Sequence, residues 1–355
     1  MPAVLLLNRY DRLGASSRLR FLDYIPHLEA VGFEVTPAPF FDDGYLEALY
    51  QGRLPNVARI AWFYARRLAQ LLRLRRYDLI WLEKEALPWL PFWIERGILS
   101  RIPYVVDFDD AWFLRYSNHS QPLIRRLLGD KLDAIVRGAA LVVVGNDYLA
   151  TWAERAGARA ILQLPTVVDL ARYQAVPPQA SDRFTIGWIG SPNSTGYLGQ
   201  ISEALRAVCS EHQVRLRLVG AGSFALPGVE IEHLAWHEET EVEAIAGFDV
   251  GIMPLEDTPW ARGKCGYKLV QYMGVGRPVV ASPVGINQLL VEHAVNGFLS
   301  ADPAGWVTAL GCLRDNPDLR QRMGAAGRQR VESRYSLQVN APRLARALNH
   351  ATLAA

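Results

Sequence analysis

The chain has 355 residues, half of them hydrophobic, and its 38 Lys and Arg against 36 Asp and Glu leave a formal charge of +2. That length predicts two domains with packed cores, and so small a net charge, with no supporting motif, argues against a nucleic-acid partner. Cys209, Cys265 and Cys312 show neither metal nor disulfide spacing, which points to a reducing compartment, and no apolar run approaches the ~18 residues of a membrane span. In chain order, residues 1–8 read as a short strand rather than a secretory leader. Strands are predicted at 4–7, from 32–35, at 79–82, 104–107 and 141–144. Helices are predicted at 18–31, 46–74 with a break near Pro55, 122–137 and 147–156. Pro165, Pro177 and Pro178 among small polar residues mark a linker at 166–183. A second series follows, with strands at 184–189, 214–219, 229–234, 250–253 and 279–281, and helix from Asn316 onward. The alternation predicts a doubly wound α/β domain at 1–165, another at 184–335, and a C-terminal helix at 336–355.

In parallel sheets ligands sit beyond the carboxyl ends of strands, so the loops there are the candidate sites. After the first strand, Gly14, Ser16 and Ser17 could let the backbone approach a ligand. Ser16 or Ser17 could equally cap the next helix. Arg18 and Arg20 in its first turn oppose the helix dipole, which favours an anion. Glu83-Lys84-Glu85 follows the strand at 79–82 and is either an acceptor contact or a set of mutual salt bridges. Asp107, Asp109 and Asp110 repel one another and want a cation, a hydroxyl donor or raised pKa values. The alternative is an N-capping or arginine-paired loop. In the second series, Gly190, Ser191 and Asn193 follow one strand and Gly220 and Gly222 another, so both strands run into small-residue loops. His233 and His237, beside Trp236, are four apart with no helix and no third ligand, so zinc is not expected.

Residues 249–282 read as strand, loop, helix, strand. Lys264, Lys268 and Gln271 are spaced i, i+4, i+7 and should share one helical face near free amides, forming an anion site. Asp257, Pro259, Trp260 and Arg262 occupy the loop before it. The bland alternative is a solvated polar face on a core helix.

Gln271-Tyr-Met-Gly-Val-Gly276-Arg-Pro278-Val-Val resembles the nucleotide-sugar site of GT-B glycosyltransferases, in particular the retaining family four, or group 1. That family carries two glutamates eight positions apart. Gln271 replaces the second, and Gly263 stands where the first would be. The resemblance implies two Rossmann-like doubly wound domains with an interdomain cleft and a last helix crossing back to the first domain. It also implies a metal-independent site and no cofactor. The implied activity is that of a hexosyltransferase-like enzyme of polysaccharide biosynthesis. It would move sugar from a nucleoside diphosphate sugar to a hydroxyl on a glycan, lipid-linked sugar or small molecule. Gly190, Ser191, Asn193, Gly220, Arg262, Lys264 and Lys268 would bind the donor, with Lys264, Lys268 and the glycine-loop amides at its diphosphate; Trp236 would lie near the base, and Gln271 would bind the ribose. Gly14, Ser16, Ser17, Arg18, Lys84 and Glu85 would form the acceptor side. Asp109, and after it Asp110, would be the catalytic group at the step where the family often carries histidine. The missing glutamates and histidine leave two alternatives, a nucleotide-sugar epimerase on the same fold and a non-catalytic sugar-nucleotide-binding member of a glycan-assembly complex.

Residues 59–76 hold six arginines and no acid, interleaved with Trp62, Phe63 and leucines, and Trp89, Phe92 and Trp93 follow. A basic amphipathic helix of this kind is either a membrane-surface element, which for the expected cytoplasmic protein means the inner membrane face, or a core helix with a solvated arginine face.

Overall fold

The computed structural model describes all residues except 54–55, 177–182, 211–212 and 354–355, so the expected break at Pro55 and part of the expected linker lie outside the described residues. The chain forms two compact units. The first comprises Met1–Thr166, Gly263–Cys265 and Asn340–Ala355; the second comprises Val167–Arg262 and Gly266–Val339.

The first unit is built on six parallel strands, β1 (Ala3–Leu7), β2 (Glu34–Pro37), β3 (Leu79–Glu83), β4 (Tyr104–Phe108), β5 (Leu141–Val144) and β6 (Ile161–Gln163), in the order β2-β1-β3-β4-β5-β6. Every residue of β3 and β4 is buried, which is why these strands are near-continuous apolar runs rather than alternating ones. β1 has β2 on one side and β3 on the other, so connections leave it in opposite directions. The strand order therefore reverses between β1 and β3, the point at whose carboxyl ends ligands sit in open parallel sheets.

The second unit has β7 (Phe184–Ile189), β8 (Val214–Val219), β9 (Ile231–Leu234), β10 (Val250–Met253), β11 (Val279–Ala281) and β12 (Gly297–Leu299), ordered β12-β11-β10-β7-β8-β9 and all parallel. Counted within the unit, this is the 3-2-1-4-5-6 order of dinucleotide-binding sheets, with its reversal between β7 and β10. Successive residues face opposite cores. Trp188 packs with Leu216, Ile252, Val280 and Trp306, while Ile189 packs with Met253, Leu269, Tyr272 and Val279.

Both doubly wound domains are as the sequence predicts, with local differences. The expected helix at 18–31 starts earlier and is broken: Ala15–Arg20, a 3₁₀ turn Leu22–Tyr24, then Ile25–Glu29 with Pro26 in its first turn. The helix at 122–137 divides into Pro122–Leu128 and Lys131–Gly138. β6 and β12, three residues each, are additional to the predicted strands. Among the described residues no helix is long and apolar enough to cross a membrane.

Candidate functional site

Each unit gathers polar side chains where its strand order reverses. In the second unit, β7 ends at Gly190 and β8 at Gly220. The helix Tyr267–Gly274 follows β10 and carries Lys268 in its first turn. The Lys268 ammonium lies 4.9 Å from the centroid of the Trp188 ring. A Cβ on Gly190 would come within 2.6 Å of that ammonium, so only glycine leaves it this position. Gly220 sits at φ +70°, and a Cβ there would meet the Gly190 carbonyl oxygen at 2.5 Å. Both glycines give room rather than donors. The Gly190 amide donates to Val219 O at 3.0 Å and the Gly220 amide to Leu234 O at 2.9 Å, which corrects the expectation that these amides reach a diphosphate. The Ser191 carbonyl accepts from the amide and hydroxyl of Ser194, both at 2.9 Å, and Asn193 is exposed in the 3₁₀ segment Pro192–Ile201.

Three expected contacts are placed differently. Lys264 precedes the helix, which begins after Gly266 at φ +67°, so it shares no helical face with Lys268 and Gln271. Arg262 is exposed and forks onto Asp257, at 2.6 and 2.9 Å. Gln271 is 3% exposed and turned into the core. Its amide donates to Tyr173 Oη at 2.7 Å and Glu241 Oε2 at 3.4 Å. Glu241 also accepts from Tyr173 Oη at 2.8 Å, Trp236 Nε1 at 2.9 Å and Arg172 Nη2 at 3.2 Å. Trp236 is thereby fixed, half-buried, beside Gly220. Burial and the neighbouring Tyr267 and Glu241 push the Tyr173 hydroxyl well above its ordinary pKa, so it remains a donor. Sequence reading missed Tyr173 and Glu241. Tyr173 falls within the expected linker at 166–183, and Glu241 lies outside every loop singled out.

In the first unit the tripeptide Gly263–Cys265 is held by Asn146, whose amide donates to the carbonyls of Gly263 and Lys264, each at 3.0 Å. A Cβ at Gly263 would lie 2.7 Å from the Ala111 nitrogen, so the close backbone approach leaves no place for a glutamate here. The Cys265 thiol donates to Asp109 O at 3.0 Å.

The reversal between β1 and β3 gathers Glu83, Lys84, Ser16, Ser17 and Asp109. Glu83 Oε2 accepts from the Arg9 amide at 2.7 Å and from the Ser17 hydroxyl at 2.6 Å. Neither serine caps the helix Ala15–Arg20; its N-cap is Gly14, where a Cβ would strike Tyr10. Arg18 and Arg20 face inward, contrary to their expected anion role. Arg18 donates to Arg12 O at 2.9 Å, and Arg20 forks onto Asp107 at 2.9–3.0 Å. Glu85 is enclosed by Arg9 at 2.9 Å, Lys131 at 2.8 Å and Tyr116 at 2.9 Å, which corrects its assignment as an acceptor contact.

Lys84 sits at φ +63° and places its ammonium 2.8 Å from Asp109 Oδ1 and 3.5 Å from Glu83 Oε1. Burial works against its charge, but Asp109 and Glu83 outweigh it and raise the pKa above its ordinary value. Burial would likewise raise Asp109, yet Lys84 and a hydrogen bond from Ser16 hold it below the usual carboxylate range. Asp107, by contrast, is pushed up to about 7 by burial despite Arg20. The acidic loop is thus resolved into a core ion pair at Asp107 and a charged, 14%-exposed Asp109 with half-buried Asp110 beside it. An ionised, ion-paired carboxylate is a good hydrogen-bond acceptor and a weak base.

The arginine stripe is rearranged too. Arg67 is 1% exposed, donates to Asn8 O at 2.9 Å and lies over Phe40. Arg66 donates to the carbonyls of Pro39 and Phe40, and Arg59 pairs with Asp42 at 2.7 Å. What the helix Val57–Leu71 turns outward is apolar: Val57, Trp62, Leu68 and, just past its end, Leu72 are 82%, 52%, 40% and 74% exposed. Arg73, Arg75 and Arg76 are exposed beyond that face.

Residues 183–316 match the family model described as Glycosyl transferases group 1. The chain is 28% identical over 159 residues to a D-inositol 3-phosphate glycosyltransferase of Streptomyces scabiei, covering 44% of this chain and 31% of the relative. It is 37% identical over 70 residues to the enzyme of that name from Streptomyces griseus, covering 19% and 15%. The chain therefore spans about a third or less of the curated relatives it matches. Among solved structures it is similar to sucrose-phosphate synthase from Thermosynechococcus elongatus (TM-score 0.75, 15% identity, 100% of both chains). It is also similar to Anabaena HepE in complex with UDP-glucose (0.74, 18%, 99% and 100%) and to WaaG, a glycosyltransferase involved in lipopolysaccharide biosynthesis (0.68, 14%, 97% and 98%). The fold is like that of these GT-B glycosyltransferase structures, and the group 1 match covers residues 183–316.

Proposed function

We propose that this protein transfers a sugar from a nucleoside diphosphate sugar to a hydroxyl acceptor, with retention and without a metal ion. The observation that carries the reading is the Lys268 ammonium seated over Gly190 and Trp188, where the 3-2-1-4-5-6 sheet reverses. A fixed cation there answers charge that develops on a departing diphosphate. The bond between the anomeric carbon and the phosphate oxygen breaks, the acceptor oxygen bonds to that carbon, and the acceptor proton passes to the leaving phosphate. On the acceptor side Asp109, held by Lys84 and Ser16, orients the hydroxyl by accepting its hydrogen bond. Asp110 stands second. Support for a nucleotide-sugar donor comes from the family match and from the neighbour that binds UDP-glucose.

Isothermal titration with uridine diphosphate and with uridine, on the wild type and Lys268→Ala, tests the reading. Diphosphate binding should weaken by ~1.5–3 kcal/mol and uridine binding should not change. Equal loss of both would make Lys268 structural. Turnover of UDP-glucose only when an acceptor is added separates transfer from epimerisation, and binding without any turnover would favour the non-catalytic reading. The same proposal includes work in the cytoplasm at a membrane surface, favoured by the exposed apolar face of the helix Val57–Leu71 with arginines at its end.

A further inference from the structure

The loop after β3 holds two non-glycine residues in the left-handed region, Lys84 at φ +63° and Trp89 at φ +62°. Such a conformation is disfavoured for side-chain-bearing residues and persists only where surrounding contacts over-determine it. Lys84 is fixed by Asp109. Trp89 is fixed by its amide, which donates to Tyr116 Oη at 3.0 Å, and by its ring, edge-on to Tyr116 at 5.2 Å and to His119 at 5.8 Å. The loop therefore presents the exposed Trp89 indole in a set position at a steric cost.

What Trp89 and its neighbour Trp112 hold between them is a guanidinium. Arg115 lies 4.6 Å from the Trp112 ring centroid and 5.2 Å from that of Trp89. Trp112 is also approached by Arg9 at 4.6 Å and Lys84 at 5.2 Å. These two cations are answered, Arg9 by Glu85 and Lys84 by Asp109. Arg115 is exposed, and among the described residues no carboxylate pairs with it. With Arg9 and Lys84 thus paired, the Arg115 charge is left to be answered by an anion from outside the cluster. Stacking on two rings fixes the plane of the Arg115 fork, which leaves its N–H edge preorganised for a planar or tetrahedral anion. Lys84 touches both Trp112 and Asp109, so the cluster adjoins the group proposed to orient the acceptor hydroxyl.

We infer that Arg115, with Trp89 and Trp112, forms a subsite for an anionic substituent, phosphate or carboxylate, on the acceptor. The inference rests on the proposed transferase reading and adds the chemical class of the acceptor to it.

The test pairs a neutral methyl hexoside with its 6-phosphate and with the matching uronide. Binding to wild type, Arg115→Gln and Arg115→Lys is read by saturation-transfer NMR without donor, and transfer from UDP-glucose is read separately. The wild type should favour the anionic member of each pair by about tenfold or more. Arg115→Gln should bring that ratio close to one, and Arg115→Lys should keep part of it. A larger effect for phosphate than for uronide would identify the substituent. Equal acceptance of neutral and anionic compounds by the wild type would overturn the inference, as would loss of both in equal measure in Arg115→Gln. Binding of uridine diphosphate, measured on the same samples, judges the transferase reading by itself. The acceptor-binding ratio needs no donor and judges Arg115 even if that reading fails.

Discussion

Asp109 illustrates how a residue's role depends on what it is paired with. Asp107, two positions earlier, is spent on Arg20 inside the core, whereas Asp109 keeps an exposed edge and its charge. Asp109→Asn should cut transfer by about 10²-fold or more while uridine diphosphate still binds. It also leaves the buried Lys84 ammonium short of a counter-charge, at a stability cost of up to about 3 kcal/mol. The double variant Asp109→Asn with Lys84→Met should recover stability and not transfer. Recovery of both in steady-state assays would reduce Asp109 to a structural ion-pair partner. Gln271 teaches the complementary point. Its carboxamide is required because Glu241 already places a carboxylate 3.4 Å from its nitrogen. Gln271→Glu, which restores the family residue, should force two buried carboxylates to share a proton and raise the pKa of the pair. Stability would then fall as pH rises through that raised value, and a thermal-unfolding midpoint unchanged from the wild type at pH 8 would refute this. The sequence made Lys268, Asp109 and the glycines legible through their positions after strands. The partnerships of Gln271, Arg18 and Glu85 join residues far apart in the chain, and no local pattern reports them.

At the scale of elements, burial decided what periodicity left open. The strands at 141–144, 184–189, 214–219, 250–253 and 279–281 have the predicted bounds; most are apolar runs between turn residues, whereas 214–219 alternates, with Arg215 and Arg217 half-buried between buried Val214, Leu216 and Leu218. The helix Val57–Leu71 was read for its charge, yet its surface character is apolar. Arg67 fills a core position, and Arg59 and Arg66 fold back onto the protein. Any membrane contact should therefore depend on apolar insertion more than on charge count. Replacing Trp62, Leu68 and Leu72 with serine should abolish co-sedimentation with vesicles containing phosphatidylserine. Replacing Arg73, Arg75 and Arg76 with glutamine should weaken it by about 1 kcal/mol per residue at low salt. If wild-type protein stays in the supernatant with such vesicles at low ionic strength, the face has another use.

For the whole molecule, the two doubly wound domains followed from alternating strands and helices, but the strand orders did not. Sequence fixes neither which edge a crossover takes nor where the order reverses, and those reversals place Glu83, Lys84, Gly190 and Lys268. Burying charge around these points ties global stability to pH. Glu95 lies in the core, 2.6 Å from Lys131, with Glu85 nearby, and accepts from the Ala86 and Leu87 amides, each at 3.1 Å. Burial outweighs Lys131 and pushes Glu95 from 4.5 up to about 7, and Asp107 is pushed up to about 7 as well. A carboxyl whose pKa is higher folded than unfolded binds more protons in the native state between those values. Each group therefore lends stability that is full below its unfolded pKa and is lost as pH rises through about 7, at up to about 1.4 kcal/mol per pH unit. The unfolding midpoint in urea should consequently fall between pH 5 and 7. Glu95→Gln, which removes one of the two titrations, should roughly halve that slope, since Asp107 remains. Parallel curves for wild type and variant across this range would show that Glu95 is ionised throughout, held so by Lys131 and the two amides.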